Sequence, residues 1–279
     1  MNKPTRNIYL GLFIICSCLL IAELLLTRIF SVCIWHHFSF FVISITMFGL
    51  GMGGICVQLF PGIFDRKDFE KQLFFLAVLV ASTSFIGPAL LMRTYIPPIV
   101  FNMFGIQTVI FLSISFLLGC LPFFFGGVIT ALLFRNYSLH ISKLYFCDLV
   151  GASVGCFATI GLLEIFGGPT ALFVNSALAV LAAVCFLYSS PRKLTPLLAA
   201  IICIFSILFL GGTIFNYQTH KVDVKFAKGL DRRFDEFSKW NSISRIAVSN
   251  FGDATTVAAA ARAIWGGVPN FRGRIQRQK

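Results

Sequence analysis

Residues 8–34 read IYLGLFIICSCLLIAELLLTRIFSVCI, an apolar stretch whose charged side chains are Glu23 and Arg28. A helix needs about 20 apolar residues to cross the roughly 30 Å hydrocarbon core of a bilayer, because each residue rises 1.5 Å. This stretch is long enough to span a membrane. It is too long for a secretory signal peptide, and further apolar stretches follow it. We therefore expect a transmembrane helix that is retained in the mature protein.

The composition of the whole chain agrees with this interpretation. Of its 279 residues, 57% are hydrophobic and 12% are charged, and the mean hydropathy is +0.86. A soluble domain carries about 25% charged residues. A water-exposed surface cannot be built from so few polar side chains, so the composition excludes an ordinary soluble globular protein and favours the bilayer as solvent.

Seven apolar stretches are long enough to cross a membrane. They lie near residues 8–34, 38–60, 72–92, 105–134, 144–166, 169–190 and 195–217. The fourth contains Pro122, and we interpret it as one long kinked helix, with two shorter spans as the alternative. The break Gly167-Gly168-Pro169 separates the fifth stretch from the sixth. The predicted fold class is therefore all-α, a polytopic transmembrane bundle of about seven helices.

The chain divides by composition into a transmembrane region, residues 1–217, and a short soluble tail, residues 218–279. The first region holds 11 Lys and Arg against 6 Asp and Glu, a net charge of +5, and the tail holds 12 against 5, a net charge of +7. A basic tail of this kind attracts anionic lipid headgroups or other acidic partners. It lacks the interleaved aromatic pattern of a nucleic-acid binder, so no nucleic acid is expected.

The charges between the spans predict the orientation of the bundle. With seven spans, one side carries nine cationic residues: Lys3, Arg6, Arg66, Lys67, Lys71, Arg135, Lys143, Arg192 and Lys193. The opposite loops carry essentially Arg93. By the positive-inside rule the first side is cytoplasmic, so the N-terminus is expected inside and the tail outside. The expected location is a bacterial inner membrane.

Four charged residues within the spans are candidates for function, because a charge inside a membrane is costly. They are Glu23, Arg28, Asp148 and Glu164. Asp148 shares a helix face with Gly151 and Gly155, so we expect it to point into the bundle with Arg28 as its partner. One interpretation is a proton or cation site built from Glu23 and Asp148. The alternative is a buried ion pair that fixes the helix register.

The glycine-rich run FGLGMGG, residues 48–54, superficially resembles a dinucleotide-binding loop. Such a loop follows a strand and opens a helix in water, whereas both flanks of this run are membrane-apolar. Gly49 and Gly53 share one helix face with Thr46. We therefore interpret them as a surface for close helix packing.

In the tail, the run WNSISR, residues 240–245, combines residue types that recognise ligands. Its candidate functional side chains are Trp240, Asn241, Ser242 and Arg245. The same run can instead begin a hairpin that packs on a further domain. Spacing alone leaves both interpretations open.

Several of these stretches together resemble the membrane region of bacterial spermidine synthase-like proteins. The stretches are ELLLTRIFS at 23–31, FGLGMGG at 48–54, PFFFGG at 122–127, YFCDLVGA at 145–152 and WNSISR at 240–245. In such proteins a multi-span region is fused to an aminopropyltransferase-type domain with a methyltransferase-like α/β fold. The resemblance covers roughly residues 8–248 and rests on the order of the motifs more than on any one of them.

The resemblance implies that full-length relatives bind decarboxylated S-adenosylmethionine and a diamine. No cofactor loop or catalytic residue of that domain maps onto this chain, and residues 249–279 depart from the expected pattern. We therefore expect a truncated catalytic tail without aminopropyl transfer and without a cofactor in this chain. A cytoplasmic cofactor also conflicts with a tail that lies outside.

Three functions follow as hypotheses. The chain is the membrane region of a spermidine synthase-like protein, catalytically inactive as given. Alternatively it is a transporter or binding protein for a small cationic solute such as a polyamine. A third possibility is a membrane anchor or assembly module.

Overall fold

The structure, a computed structural model, describes residues 3–33, 39–64, 69–93, 106–189, 195–227, 230–231, 235–241 and 245–249. The helices are α1 (Arg6–Cys33), α2 (Ser39–Leu59), the single turn α3 (Pro61–Phe64), α4 (Phe69–Arg93), α5 (Ile106–Asn136), α6 (Ile141–Leu187), α7 (Pro196–Ser206) and α8 (Gly212–Thr219). A π-helical turn, Ile207–Gly211, joins α7 to α8. Within the described residues, six helical segments are long and apolar enough to cross a membrane, which confirms the predicted helical membrane fold.

Helix α5 settles the interpretation of the fourth apolar stretch. It runs without interruption through Pro122 from Ile106 to Asn136. The prediction of one long helix is confirmed over these residues, and the alternative of two shorter spans is wrong there. Residues 94–105, where the apolar stretch begins, lie outside the described residues.

Helix α6 spans 47 residues, and a non-helical backbone at Gly167 (φ 73°, ψ 165°) divides it into two arms. Its first arm, residues 141–166, runs parallel to α1. Gly151 packs on the backbone of Phe13, and Gly155 packs one turn further along on the backbone of Ser17. The Ser17 hydroxyl donates a hydrogen bond of 2.6 Å to the Gly151 carbonyl. The residue numbers in contact therefore increase along both helices, as they do when two helices run parallel.

The second arm, residues 168–187, runs in the opposite direction along α1. Phe186 contacts Gly11 near the start of α1, whereas the carbonyl of Asn175 accepts a 3.7 Å hydrogen bond from the thiol of Cys18. The residue numbers in contact thus decrease along the second arm while they increase along α1, so the two helices are antiparallel. The two arms form a helical hairpin, so α6 supplies two of the seven membrane-spanning segments found in the described residues. Glycine suits the turn because a positive φ carries no steric penalty without a Cβ atom.

Helices α2 and α5 pack through the glycine run. A Cβ atom at Gly53 would collide with the backbone of α5 near Phe124 and Val128, and Gly127 in turn packs on the backbone of Leu50. Gly49 of α2 also faces α5, at Cys120 and Phe123. The interpretation of this run as a helix-packing surface is confirmed, since it lies within α2 and brings two backbones together.

The chain after α8 folds back over one end of the bundle. Strand β1 (Phe226–Ala227) pairs with β2 (Leu230–Asp231), and β3 (Asp235–Trp240) pairs antiparallel with β4 (Arg245–Ser249). The amide of Lys225 donates a 3.0 Å hydrogen bond to the carbonyl of Met92 at the end of α4. We call this end of the bundle, which also carries Gly167, the tail end. The N-terminus lies at the opposite end, because the described part of the chain crosses the bundle seven times before the tail.

Candidate functional site

A buried asparagine fixes the path of the chain as it leaves the bundle. Asn216 on α8 is 1% exposed, and its amide nitrogen donates to the hydroxyl of Thr170 (3.0 Å) on the second arm of α6. The same amide accepts from the backbone N–H of Val222 (2.7 Å) and donates to the Val222 carbonyl (3.2 Å). His220, with φ 49°, ends α8 in the left-handed conformation. The segment after α8 is thereby held against α6.

An ion pair ties the β3–β4 hairpin to that segment. The guanidinium of Arg245 donates to the carboxylate of Asp223 at 3.1 Å, and the two side chains are 3% and 32% exposed. Asp223 also accepts from the backbone N–H of Val224 at 2.7 Å. Arg245, a candidate from the sequence, therefore has a structural role, because it joins strand β4 to the segment that follows α8.

Trp240 rests on the turn of α6. A Cβ atom added at Gly168 would lie 3.0–3.1 Å from three carbons of the indole, and one at Gly167 would lie 3.1 Å from the indole Cδ1. The ring therefore covers both glycines at contact distance. Its Nε1 is buried and has no hydrogen-bond partner among the described residues.

These contacts enclose a cavity of about 540 Å³ between the α6 turn, α8 and β3. We call it the tail-end pocket. Its lining includes Glu164, Phe166, Tyr217, His220, Lys239 and Trp240. The volume is within the range of a small-molecule site, which is typically 300–1,000 Å³.

The lining of the tail-end pocket combines aromatic and charged groups. Phe166 and Tyr217 contact each other edge to face with ring centroids 5.8 Å apart. The exposed carboxylate of Glu164 and the exposed ammonium of Lys239 supply one charge of each sign. Asp223 also lines the pocket, but Arg245 neutralises it. Such a lining can hold a small polar organic molecule between aromatic faces.

The structure brings together three of the sequence candidates and separates the others. Glu164 and Trp240 line one pocket, and Arg245 supports it through Asp223. Asn241 follows Trp240 at the end of β3 and is half-buried. Ser242 lies outside the described residues.

The predicted partnership of Asp148 with Arg28 is wrong. Asp148 lies beside Cys16, because the first arm of α6 packs parallel to α1 with Gly151 at the level of Phe13. Arg28 follows Cys16 by twelve residues, a rise of about 18 Å along α1, which no ion pair can bridge. The faces of the helices were readable from the sequence, whereas their axial alignment was not.

Glu23 also lies apart from Asp148. Its carboxylate faces Thr46 on α2, whereas Asp148 lies seven residues nearer the N-terminal end of α1, beside Cys16. Seven residues of helix rise about 10 Å. The two carboxylates therefore do not form the single cation site that the sequence suggested.

Asn216 and Thr170 were missed in the sequence. Both are polar residues at the ends of apolar stretches, and that position was the available signal, because a buried polar side chain in a membrane bundle needs a partner. Tyr217 was missed for a different reason, since aromatic residues are common near membrane surfaces and one more carries little information.

Comparison of the chain with protein-family models, curated proteins and solved structures returned no match. Among the described residues, no group of three or more His, Cys, Asp and Glu side chains is placed to hold a metal ion. The site therefore has to be interpreted from its own geometry.

Proposed function

We propose that this multi-pass membrane protein binds a small organic cation, such as a polyamine, in the tail-end pocket. The observation that supports this is that Glu164 lines the same cavity of about 540 Å³ as the aromatic residues Trp240, Tyr217 and Phe166. An alkylammonium is attracted both by a carboxylate and by the face of an aromatic ring. A ring that displaces water also strengthens the attraction to the charge.

The resemblance to the membrane region of spermidine synthase-like proteins supports the same class of solute. We propose that the chain is such a membrane region and performs no aminopropyl transfer as given. Full-length relatives would be expected to use decarboxylated S-adenosylmethionine, but this chain offers no residues to which that cofactor can be assigned.

The first prediction concerns binding of spermidine to the purified chain in nanodiscs of zwitterionic lipid, measured by isothermal titration calorimetry. Neutral lipid is needed because polyamines also bind anionic headgroups. We expect saturable binding by the parent chain. Glu164→Gln should weaken it by roughly two- to fivefold, since the removed charge is exposed and contributes about 0.4–1 kcal/mol.

Two matched variants give this experiment its controls. Asp148→Asn removes another carboxylate of the same arm of α6, outside the pocket, and should leave spermidine affinity unchanged. Lys239→Gln removes the pocket's cation and should strengthen the binding of a cation. A weaker spermidine affinity in Lys239→Gln would contradict a cation site governed by charge, and no binding by the parent would overturn the proposal.

Transport of the solute is a second candidate. The intramembrane carboxylates Glu23 and Asp148 favour it, because charges within a bundle often mark a solute pathway. Uptake of labelled spermidine into proteoliposomes, lost in Asp148→Asn, would support a transporter. Binding without uptake would leave a binding protein, and neither activity would favour the membrane anchor or assembly module.

We further propose that the protein resides in a bacterial inner membrane with its N-terminus in the cytoplasm. Among the described residues, Lys3, Arg6, Lys71, Arg135 and Lys143 lie at the N-terminal end of the bundle, whereas the loops between the spans at the tail end carry Arg93. The positive-inside rule then supports a cytoplasmic N-terminus. Arg66, Lys67, Arg192 and Lys193, which entered the same argument, lie outside the described residues.

A further inference from the structure

The β3–β4 hairpin forms one wall of the tail-end pocket. Ser238, Lys239 and Trp240 of β3 line the cavity together with Glu164 and Phe166 of α6. The pocket therefore exists in this form while the hairpin is docked on the bundle.

The docking surface is shaped for the indole of Trp240. Gly167 and Gly168 leave space for a flat ring, and a single added Cβ atom at Gly168 would approach three indole carbons at 3.0–3.1 Å. A two-stranded hairpin has little stability of its own, so the position of β3 and β4 depends on such anchoring contacts. Among the described residues, Trp240 and the Arg245–Asp223 ion pair provide two such anchors for the hairpin.

The docked state also contains an unfavourable feature. The Trp240 Nε1 is buried with no acceptor among the described residues, and a buried donor without an acceptor costs free energy. Undocking would return this N–H group to water. The favourable contacts of the docked hairpin are therefore partly offset by the cost of this unpaired N–H group. A small net stability of docking suits a pocket wall that opens and closes.

We propose that the turn at Gly167 and Gly168 is a reversible docking surface for Trp240, and that solute binding in the tail-end pocket and docking of Trp240 stabilise each other. This inference rests on the proposed function, because it takes a solute to bind in that pocket. Linkage makes the effect reciprocal: a solute that binds the docked state increases docking, and loss of docking weakens the solute.

Docking is tested without any solute. In the variant Trp35→Phe/Trp265→Phe, Trp240 is the remaining tryptophan and reports its own exposure through quenching of its fluorescence by iodide. We expect strong protection of Trp240 in this background. Gly168→Val should increase quenching severalfold by displacing the ring, and Gly161→Val should not, because no atom lies within 4 Å of a Cβ at Gly161. Free quenching in the background itself would overturn the docking surface.

Coupling is tested by repeating the quenching with saturating spermidine. We expect spermidine to reduce quenching of Trp240 further, and we expect Gly168→Val to bind spermidine about tenfold more weakly than Gly161→Val. Unchanged quenching and equal affinities, with binding intact, would overturn the coupling and leave the proposed function standing. Absence of binding to a chain with protected Trp240 would overturn the proposed function and the coupling together, while docking would stand.

A milder variant serves as a control for misfolding of Gly168→Val. A β-branched residue at position 168 would precede Pro169, where the backbone is sterically restricted. Gly168→Ala places one methyl group against the indole and should give intermediate quenching. If Gly168→Ala is as protected as the background, the contact is not a tight docking surface and the proposal fails.

Discussion

The ion pair between Arg245 and Asp223 shows how single residues hold the tail on the bundle. The Arg245 side chain is 3% exposed, so its positive charge has left water almost completely. A buried charge is tolerated when a carboxylate and further hydrogen bonds compensate it. Asp223 is one-third exposed and keeps some contact with solvent. The two partners are therefore desolvated unequally. The buried arginine needs the ion pair to compensate its charge, whereas the aspartate is partly solvated without it.

This asymmetry leads to a prediction for the variant Asp223→Asn. Removing the carboxylate leaves the buried guanidinium without its neutralising charge and should destabilise the docked hairpin by on the order of 3 kcal/mol. Limited trypsin digestion would report this as faster cleavage after Lys225 and Lys239. The double variant Asp223→Asn/Arg245→Met removes both charges and should regain most of the protection. Unchanged cleavage in the single variant would show that the ion pair does not anchor the tail.

Residue by residue, the site was only partly readable from the sequence. Glu164 and Trp240 stood out because a charge inside a span and a tryptophan in a polar tail are both uncommon. Their meeting in one pocket depends on Gly167 turning the chain and on the hairpin folding back, which no local pattern encodes. The Asp148–Arg28 pair failed for the same reason, since periodicity gives a face of each helix and not the axial position of one helix on another.

At the scale of the elements, small residues decide which helices meet. Gly53 and Gly127 bring α2 and α5 together, and Gly151 and Gly155 bring the first arm of α6 onto α1. Lipid tails are as apolar as leucine, so close backbone packing replaces the hydrophobic effect as the source of specificity between helices in a membrane. Gly51, on the same helix as Gly53, has no atom within 4 Å of its Cβ position.

The fourth prediction uses this contrast between two glycines of α2. Gly53→Leu should lower the melting temperature of the purified protein or prevent its folding, because the new side chain meets the α5 backbone, which cannot yield as a flexible side chain can. Gly51→Leu should be neutral or slightly stabilising, since leucine has the higher helix propensity. Thermal unfolding followed by size-exclusion chromatography measures both. Strong destabilisation by Gly51→Leu would mean that another chain, rather than lipid, covers this face.

Most elements were predictable because membrane helices have a long and simple sequence signal. Each apolar stretch is about as long as the bilayer is thick, and Gly167-Gly168-Pro169 marks its own turn. The single helix through Pro122 was also expected, since a neighbouring helix can compensate the lost hydrogen bond in a membrane. The β3–β4 hairpin was only one of two possibilities, because a polar run such as WNSISR fits a hairpin loop and a binding loop equally well.

At the scale of the whole molecule, the seven crossings seen in the described residues place the N-terminus and the tail at opposite ends of the bundle. The hydrogen bond from Lys225 to Met92 and the contact of Trp240 with the α6 turn fix the tail at its end. Reversing the orientation of one end therefore reverses the other. Compared with Arg93 in the loops at the tail end, the cationic residues at the N-terminal end then predict a tail on the outer side of the membrane.

The fifth prediction tests this orientation with reporter fusions in a bacterial host. Alkaline phosphatase fused after Ser249 should be active, and green fluorescent protein fused there should be dark, because the first needs the outer side and the second the cytoplasm. A fusion after Tyr137, between α5 and α6, should give the opposite pair of results as an internal control. The reverse pattern at both sites would invert the bundle, place the tail-end pocket in the cytoplasm and remove the conflict with a cytoplasmic aminopropyltransferase-type domain. The expected pattern instead makes the tail-end pocket face solutes outside the cell membrane, where a cytoplasmic cofactor could not take part.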